Sequence, residues 1–192
     1  MIAIVKYNAG NIRSVQNAIN RLGFESQITD DPGELLSAEK VIFPGVGEAG
    51  SAMAYLKKCG LDRIIPEIKA PLLGICLGLQ LLCRHTEESD TDCLGIFDAN
   101  VKLFPPVDKI PHMGWNDFIT LKGELFKNVS KEDDVYSVHS YYAEISSFPT
   151  ATCEYIVPFS AAMNRGNFYA TQFHPEKSAQ VGETILRNFL QL

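Results

Sequence analysis

The sequence lacks the features that mark membrane, secreted and nucleic-acid-binding proteins. Its longest apolar stretch, residues 70–83, includes Gln80 and is shorter than the roughly 20 residues that a membrane-spanning helix needs. The apolar run at residues 1–5 is too short for the core of a signal peptide. There are 17 basic and 23 acidic residues, and the resulting net charge of −6 disfavours binding to nucleic acid or to an anionic membrane. We therefore expect a soluble cytoplasmic protein.

Cysteine is scarce and irregularly spaced. The chain has five cysteines, an odd number, and no pair of them has the C-x-x-C spacing. This pattern indicates neither a disulfide framework nor a zinc site, so we expect free thiols, no metal and no cofactor. The acidic segment at residues 87–92 is interpreted as a solvated loop rather than a metal site.

The composition and the pattern of apolar residues are those of an α/β protein. With 192 residues, 46% of them hydrophobic, the chain can bury about 70% of its surface in one core, so we expect a single domain over residues 1–192. Its first half alternates short apolar runs with helical patterns, which predicts an open, mostly parallel sheet with flanking helices. The predicted strands of this half are 2–5, 41–43 and 71–75, and the predicted helices are 12–22, 49–56 and 61–68.

The second half contains more strand-like segments and ends in a helix. Its predicted strands are 101–104, 117–120, 135–138, 152–157 and 168–173. The last helix is predicted to begin at about Ser178, because Val181, Ile185 and Phe189 form one apolar face. Near the N-terminus, Asn11 is predicted to cap the first helix.

The most informative segment is GICLGLQ at residues 74–80, which contains a G-x-C-x-G motif between a predicted strand and a predicted helix. This is the thiol form of a nucleophile elbow, in which a tight turn projects the central side chain outward. A Cβ atom at either flanking glycine would clash in such a turn. The helix N-terminus favours a thiolate at Cys76 and an oxyanion beside it. The alternative is a core cysteine at an apolar junction.

A general base and a group to orient it occur together in His174, Pro175 and Glu176. On an extended segment, residues i and i+2 point the same way, so Glu176 can hold one imidazole nitrogen of His174 and leave the other for Cys76. Pro175 keeps the segment extended. The alternative is an exposed histidine at a strand end with a solvated glutamate.

The other three histidines have ordinary structural explanations. We expect His85 to cap the C-terminus of the helix after Cys76, His112 to lie in a turn after Pro111, and His139 to lie at a strand end.

Acyl transfer through Cys76 would also need N–H donors for an oxyanion. One candidate is the N–H group of Leu77, the residue after the nucleophile. The others lie in Gly45, Val46 and Gly47, which follow an earlier parallel strand and should reach the same sheet edge. The alternative for this segment is a turn that only ends the strand.

Together, PGVG at 44–47, GICLGLQ at 74–80 and HPE at 174–176 resemble the class I, or triad-type, glutamine amidotransferase family over nearly the whole chain. The resemblance implies that a thiol attacks the side-chain amide of glutamine, releases ammonia and forms a glutamyl thioester that water hydrolyses. It assigns the triad roles to Cys76, His174 and Glu176.

The same resemblance implies which residues bind glutamine and which meet a partner. It places Gln80, Ser140 and Tyr141 near the bound glutamine. The motifs YNAGN at 7–11 and PHMGWN at 111–116 are similar to those of family members that serve histidine biosynthesis, whose ammonia goes to a (β/α)8-barrel cyclase subunit in a heterodimer. The residues implied to lie near that partner are Asn11, Trp115, Tyr136 and Lys177.

Three other functions stay open at this level. The chain could be a glutaminase subunit of another synthase, and residues 111–116 are the feature that argues against it. It could be a stand-alone cysteine hydrolase or peptidase, which would act without a partner. It could also be a non-catalytic binding module, although the complete set of Cys76, His174 and Glu176 argues against that interpretation.

Overall fold

The computed structural model describes all residues, Met1–Leu192, as an α/β fold of fourteen strands and six α-helices. The strands are β1 (Ile2–Val5), β2 (Ser26–Thr29), β3 (Lys40–Gly45), β4 (Leu72–Cys76), β5 (His85–Thr86), β6 (Thr91–Asp92), β7 (Asn100–Leu103), β8 (His112–Asn116), β9 (Thr120–Leu121), β10 (Val135–His139), β11 (Tyr141–Ala143), β12 (Pro149–Tyr155), β13 (Val157–Arg165) and β14 (Phe168–Thr171). The helices are α1 (Ile12–Arg21), α2 (Pro32–Ser37), α3 (Ala49–Cys59), α4 (Leu61–Ile64), α5 (Leu77–Leu82) and α6 (Ala179–Leu190). None of these helices combines the length and the apolar character needed to cross a membrane.

The central sheet has eight strands in the order β2-β1-β3-β4-β14-β13-β12-β9. The strands from β2 to β14 in this order are parallel to their neighbours, and β13, β12 and β9 continue the sheet antiparallel. The predicted open, mostly parallel sheet with flanking helices is therefore confirmed. A separate antiparallel pair joins β8 to β10, and a third sheet has the order β11-β7-β5-β6.

Both faces of the central sheet are buried, because its parallel strands carry apolar side chains in both directions. In β1, Ile2 and Ile4 join the core that includes α1 and α6, whereas Ala3 and Val5 join the opposite core, which includes α3 and α5. This alternation follows from the two-residue period of a strand.

The helices begin and end where their sequences place suitable groups. Helix α2 starts with Pro32, and the Asp31 carboxylate accepts a hydrogen bond of 2.9 Å from the N–H of Glu34. Helix α3 is capped by the residue before it, Glu48, whose carboxylate accepts hydrogen bonds from two backbone N–H groups of the first turn. It ends at Gly60, which has a φ of +72° that favours glycine.

Several predicted elements are wrong in position or number. The predicted strand at 117–120 is displaced, since the chain is extended instead at β8 and again only briefly at β9. The predicted strand at 152–157 is in fact two strands, β12 and β13, which reverse direction at Ile156 with a φ of +63°. The short elements β2 and α2 were not predicted, because neither carries a strong apolar period.

Candidate active site

The candidate catalytic residues lie at one edge of the central sheet, where the parallel strands end. Gly45 at the end of β3 pairs in register with Cys76 at the end of β4. Strand β14 ends at Thr171, three residues before His174. The sequence therefore separates these residues widely, but the parallel topology brings them together at the carboxyl edge, the usual ligand site of such sheets.

Cys76 occupies a strained turn between β4 and α5. Its φ of +54° and ψ of −106° lie outside the regions that non-glycine residues normally adopt. A Cβ on Gly78 would overlap the carbonyl oxygen of Phe43, and one on Gly74 would lie 2.7 Å from Cδ1 of Leu82. The local geometry is that of the predicted nucleophile elbow.

His174 and Glu176 form a fully buried pair beside Cys76. Nδ1 of His174 lies 2.8 Å from Oε1 of Glu176, and neither side chain is exposed to solvent. Nε2 of His174 has no oxygen or nitrogen partner, which leaves it free to interact with the sulfur of Cys76. Burial alone would lower the pKa of His174, but the nearby Cys76 and the contact with Glu176 raise this pKa to about 10.

Asn11 adds a further side chain to the hydrogen-bonded pair of His174 and Glu176. Its Nδ2 donates a hydrogen bond of 3.0 Å to Oε1 of Glu176, the same oxygen that holds His174. The residue is only 6% exposed. Asn11 occupies the N-cap position of α1, as predicted, but its side chain makes no capping hydrogen bond to the helix. In the isolated chain Asn11 faces Glu176, whereas the resemblance placed it near a partner.

The backbone around His174 is fixed by strand β10. The N–H of His174 donates to the carbonyl of Tyr136 at 2.9 Å. Ser178 completes a closed bridge, since its hydroxyl accepts from the N–H of Tyr136 at 2.9 Å and donates to the carbonyl of His174 at 2.7 Å. Any shift of β10 would therefore be transmitted to His174.

A cavity of about 250 Å³ opens directly over Cys76. The cavity brings together most of the residues predicted to bind glutamine or an oxyanion. Those lining it are Val46, Gly47, Leu77, Gln80, Ser140 and Tyr141. Gly45, also predicted for the oxyanion site, is buried at the end of β3 and does not line the cavity. A larger depression of about 680 Å³ between α1 and β2 contains none of the predicted site residues.

Glu88 was missed by sequence reasoning and lines the same cavity. The segment 87–92 was expected to be a solvated loop, but the Glu88 carboxylate is partly buried and accepts a 2.8 Å hydrogen bond from the N–H of Ala49. Burial raises its pKa above the usual value, and the hydrogen bond from Ala49 opposes that rise. It is the one acidic side chain among the residues that line the cavity.

Tyr7 lies in the motif at residues 7–11, but no role was predicted for its side chain. Its hydroxyl donates a 2.7 Å hydrogen bond to the carbonyl of Pro44, directly before the predicted oxyanion segment. Burial and the charge of nearby Cys76 raise its pKa, so the hydroxyl stays protonated and serves as a donor. Within the segment, Gly47 has a φ of +123°, which only glycine adopts easily.

Two of the remaining histidines do not lie where they were expected. His112 is in β8, not in a turn, and its Nδ1 lies 3.4 Å from Nε2 of His139, which ends β10 as predicted. Both rings are buried, and burial lowers both pKa values, that of His139 to about 3. His85 does not cap α5. It lies in β5 beside the carboxylates of Asp90 and Asp92.

The other residues assigned to a partner surface lie on or next to the β8–β10 ribbon. Trp115 and Tyr136 pair across the ribbon, with ring centroids 5.7 Å apart, and Trp115 is 54% exposed. Lys177 is exposed just beyond Glu176, and Met113 on the same ribbon is 61% exposed. Neighbouring apolar side chains this exposed are typical of a surface that a partner covers.

Comparison with known proteins identifies the family of this chain. A family profile described as glutamine amidotransferase class-I matches residues 4–192. The solved structure of a glutamine amidotransferase superposes with a TM-score of 0.73 at 18% identity, covering 100% of this chain and 98% of that one. A glutamine amidotransferase from Thermotoga maritima superposes with a TM-score of 0.63 at 17% identity, covering 99% of this chain and 82% of that one. The chain belongs to the class-I glutamine amidotransferase family.

Curated relatives narrow the comparison to one member of that family. The chain is 57% identical to the imidazole glycerol phosphate synthase subunit HisH of Bacteroides fragilis, over 100% of this chain and 99% of that protein. It is 40% identical to the subunit HisH of Vibrio parahaemolyticus, over 100% of this chain and 98% of that protein.

Proposed function

We propose that this chain is the glutaminase subunit of imidazole glycerol phosphate synthase, and that it hydrolyses glutamine to glutamate and ammonia. The observation that carries the proposal is the buried line of Cys76, His174 and Glu176 beneath a cavity, in a chain 57% identical to a subunit HisH over its full length. The class of chemistry follows from a thiol, a base and a group that orients the base.

The first half of the reaction is acyl transfer to Cys76. The thiolate attacks the carbonyl carbon of the glutamine side-chain amide, and the new C–S bond produces a tetrahedral oxyanion. The C–N bond then breaks, and the leaving nitrogen takes a proton from Nε2 of His174 and departs as ammonia. Glu176 keeps the ring oriented and stabilises its positive charge, in keeping with the raised pKa of His174.

The second half is hydrolysis of the glutamyl thioester. His174, now neutral, removes a proton from a water molecule that attacks the thioester carbon. The C–S bond breaks and glutamate leaves. During both halves the oxyanion is held by the N–H of Leu77 at the start of α5, together with N–H groups of the segment from Gly45 to Gly47.

The cavity lining provides the groups that hold glutamine. Gln80, Ser140 and Tyr141 surround the opening above Cys76 and provide polar contacts. Glu88 adds a carboxylate whose negative charge suits the α-ammonium group of an amino acid. A side-chain amide can then reach the sulfur while the charged end of the substrate stays at the rim.

The ammonia is consumed by a partner. In this proposal a (β/α)8-barrel cyclase subunit forms a heterodimer with the chain, over the surface that includes Trp115, Tyr136 and Lys177. The cyclase combines ammonia with a phosphoribulosyl ribonucleotide to give imidazole glycerol phosphate and an aminoimidazole carboxamide ribonucleotide, in histidine biosynthesis. We place the enzyme in the cytoplasm, where its five free cysteines stay reduced.

The proposal is tested by measuring glutamate release from glutamine. The chain is assayed alone, with the cyclase subunit, and with the cyclase subunit plus its nucleotide ligand. We expect a large rise that needs both additions. Cys76→Ala should abolish the activity, by a factor of at least about 10³, because the nucleophile is lost. It should keep the affinity for the cyclase.

Cys83→Ala is the matched control, because Cys83 is a buried thiol of the same region that lies outside the cavity. It should retain glutaminase activity. Full activity of Cys76→Ala would contradict the mechanism. An active wild type that ignores the cyclase would contradict the assignment to this synthase while leaving the glutaminase chemistry in place.

A further inference from the structure

A fully buried amide side chain touches the sulfur of Cys76 from outside the triad. Gln172 lies in the chain between β14 and His174, and its side chain is completely shielded from solvent. Its Nε2 is 3.6 Å from Sγ of Cys76, a normal separation for an N–H donor and a sulfur acceptor. A buried amide is costly unless its polar atoms are paired, so this contact needs an explanation.

The direction of this hydrogen bond follows from its neighbours. Nε2 of Gln80 lies 3.0 Å from the backbone carbonyl of Tyr141 and 3.1 Å from Oε1 of Gln172. A carbonyl oxygen can only accept, so the Gln80 amide must present its nitrogen to Tyr141. The same nitrogen then donates to Oε1 of Gln172. The Gln172 amide is thereby oriented with its N–H group towards Cys76.

We infer that Gln172 is a further catalytic residue, whose amide N–H donates to the sulfur of Cys76 and stabilises the thiolate, and that Gln80 orients it. Hydrogen bonding to the charged form of a group favours that form. The backbone carbonyl of Val138, 4.0 Å from the sulfur, can only accept and so favours the thiol. Gln172 thus supplies stabilisation of the thiolate that does not depend on the charge of His174.

This chain of hydrogen bonds also connects the substrate cavity to the nucleophile. Gln80 and Tyr141 line the cavity, whereas Gln172 is enclosed behind them. A ligand that moves the Gln80 amide would therefore change the orientation of Gln172 and the hydrogen bond to Cys76.

The test is the pH profile of Cys76 alkylation by iodoacetamide, followed by mass spectrometry of the peptide without glutamine. The exposed Cys59 serves as an internal reference. Other titratable groups near the sulfur are His174 and Tyr7, and Glu88 and His139 line the cavity; all of them stay unchanged in the variants.

Two variants remove the donor in different ways. Gln172→Met has a similar volume and no polar atoms, whereas Gln172→Leu is shorter and branched, and neither change adds a charge beside the sulfur. In both, the profile of Cys76 should move to higher pH by about one unit, equivalent to an up to tenfold slower reaction at pH 7. The profile of Cys59 should stay in place.

Thr171→Val is the matched control. It removes a buried hydrogen bond from the adjacent residue, whose hydroxyl donates to the carbonyl of Phe173, without touching Cys76. It should lower stability but leave the Cys76 profile unchanged. Thermal unfolding of each variant shows which of them fold, and either folded variant decides the question. Failure of both to fold would overturn the inference, since Gln172 would then be structural.

A folded Gln172 variant with the wild-type profile would also overturn it. The inference rests on the proposed function, because it assumes that Cys76 is the nucleophile. Different results would contradict the proposed function and the role of Gln172. A wild-type Cys76 that reacts only at the same high pH as Cys59 would contradict the proposed function. A Cys76 that reacts at lower pH than Cys59, in the wild type and in both variants alike, would contradict only the role of Gln172.

Discussion

At the scale of single residues, His139 is buried where a charged imidazole has no acidic partner. Its Nδ1 lies 2.8 Å from the carbonyl of Tyr141, and its Nε2 faces Nδ1 of His112 at 3.4 Å. A neutral pair satisfies this geometry, because the His112 N–H can donate to His139 and the His139 N–H to the carbonyl. Burial accordingly lowers the pKa of His139 to about 3.

The lowered pKa predicts how stability depends on pH. Below about pH 6.5 the unfolded chain binds a proton at His139 that the folded chain does not, so the free energy of unfolding should fall as pH drops. The contribution of His139 should reach about 2 kcal/mol at pH 5. Denaturant unfolding at pH 7 and pH 5 measures it. His139→Gln should show a smaller loss, and an equal loss in both proteins would contradict the prediction.

At the scale of elements, strand β10 links the ribbon proposed to face a partner to the proposed triad. Its Tyr136 presents its ring beside Trp115, while its backbone is bonded to His174 and Ser178. One strand thus places a side chain on the surface and bonds through its backbone to the proposed catalytic base. A partner that shifts Tyr136 would act on His174 through these hydrogen bonds.

Ser178→Ala tests this backbone link. Without the hydroxyl, the N–H of Tyr136 loses its acceptor and the carbonyl of His174 loses a donor, which should cost about 1–3 kcal/mol of stability. Glutamate release in the complex should fall at least about tenfold, because His174 loses its alignment. Ser37→Ala is the control, since that exposed hydroxyl bonds only within α2. Wild-type activity and stability in Ser178→Ala would show that the bridge is dispensable.

At the scale of the whole molecule, the proposed catalytic centre and the proposed partner surface are adjacent on the fold. Asn11 contacts Glu176 from the loop before α1, and Lys177 is exposed immediately after Glu176. The β8–β10 ribbon adds Met113 and Trp115, which are more than half exposed. Ammonia released at Cys76 would therefore emerge close to the surface that we assign to the cyclase.

Trp115→Ala tests that surface. The change should weaken binding of the cyclase by about 10–100-fold, since a large aromatic side chain at an interface often contributes this much. Thermal unfolding of the isolated chain should change little, because the side chain is 54% exposed. Calorimetric titration with the cyclase measures the affinity. Leu36→Ala, an exposed apolar residue on α2, should bind normally, and normal binding by Trp115→Ala would remove Trp115 from the interface.

Features that depend on neighbouring residues could be predicted from the sequence alone. Alternating apolar runs predicted the parallel sheet, because strand and helix periods are local properties. The elbow at Cys76 was visible because its strand, glycines and helix are contiguous. The contact of His174 with Glu176 was predicted from their spacing and is present at 2.8 Å. The extended backbone predicted for this segment is wrong, because Pro175–Lys177 form a turn of 3-10 helix.

Contacts between residues far apart in the chain could be seen only in the folded protein. Asn11 meets Glu176 across 165 positions, and Gln172 meets Cys76 across 96. A single buried amide or carboxylate does not belong to a repeating apolar pattern, and its partner can lie at any distance along the chain. Nothing in the neighbouring sequence therefore marks Gln172 or Glu88 as part of a site. Their roles arise only when parallel strands place distant segments at one edge of the sheet, where burial requires each polar atom to find a partner.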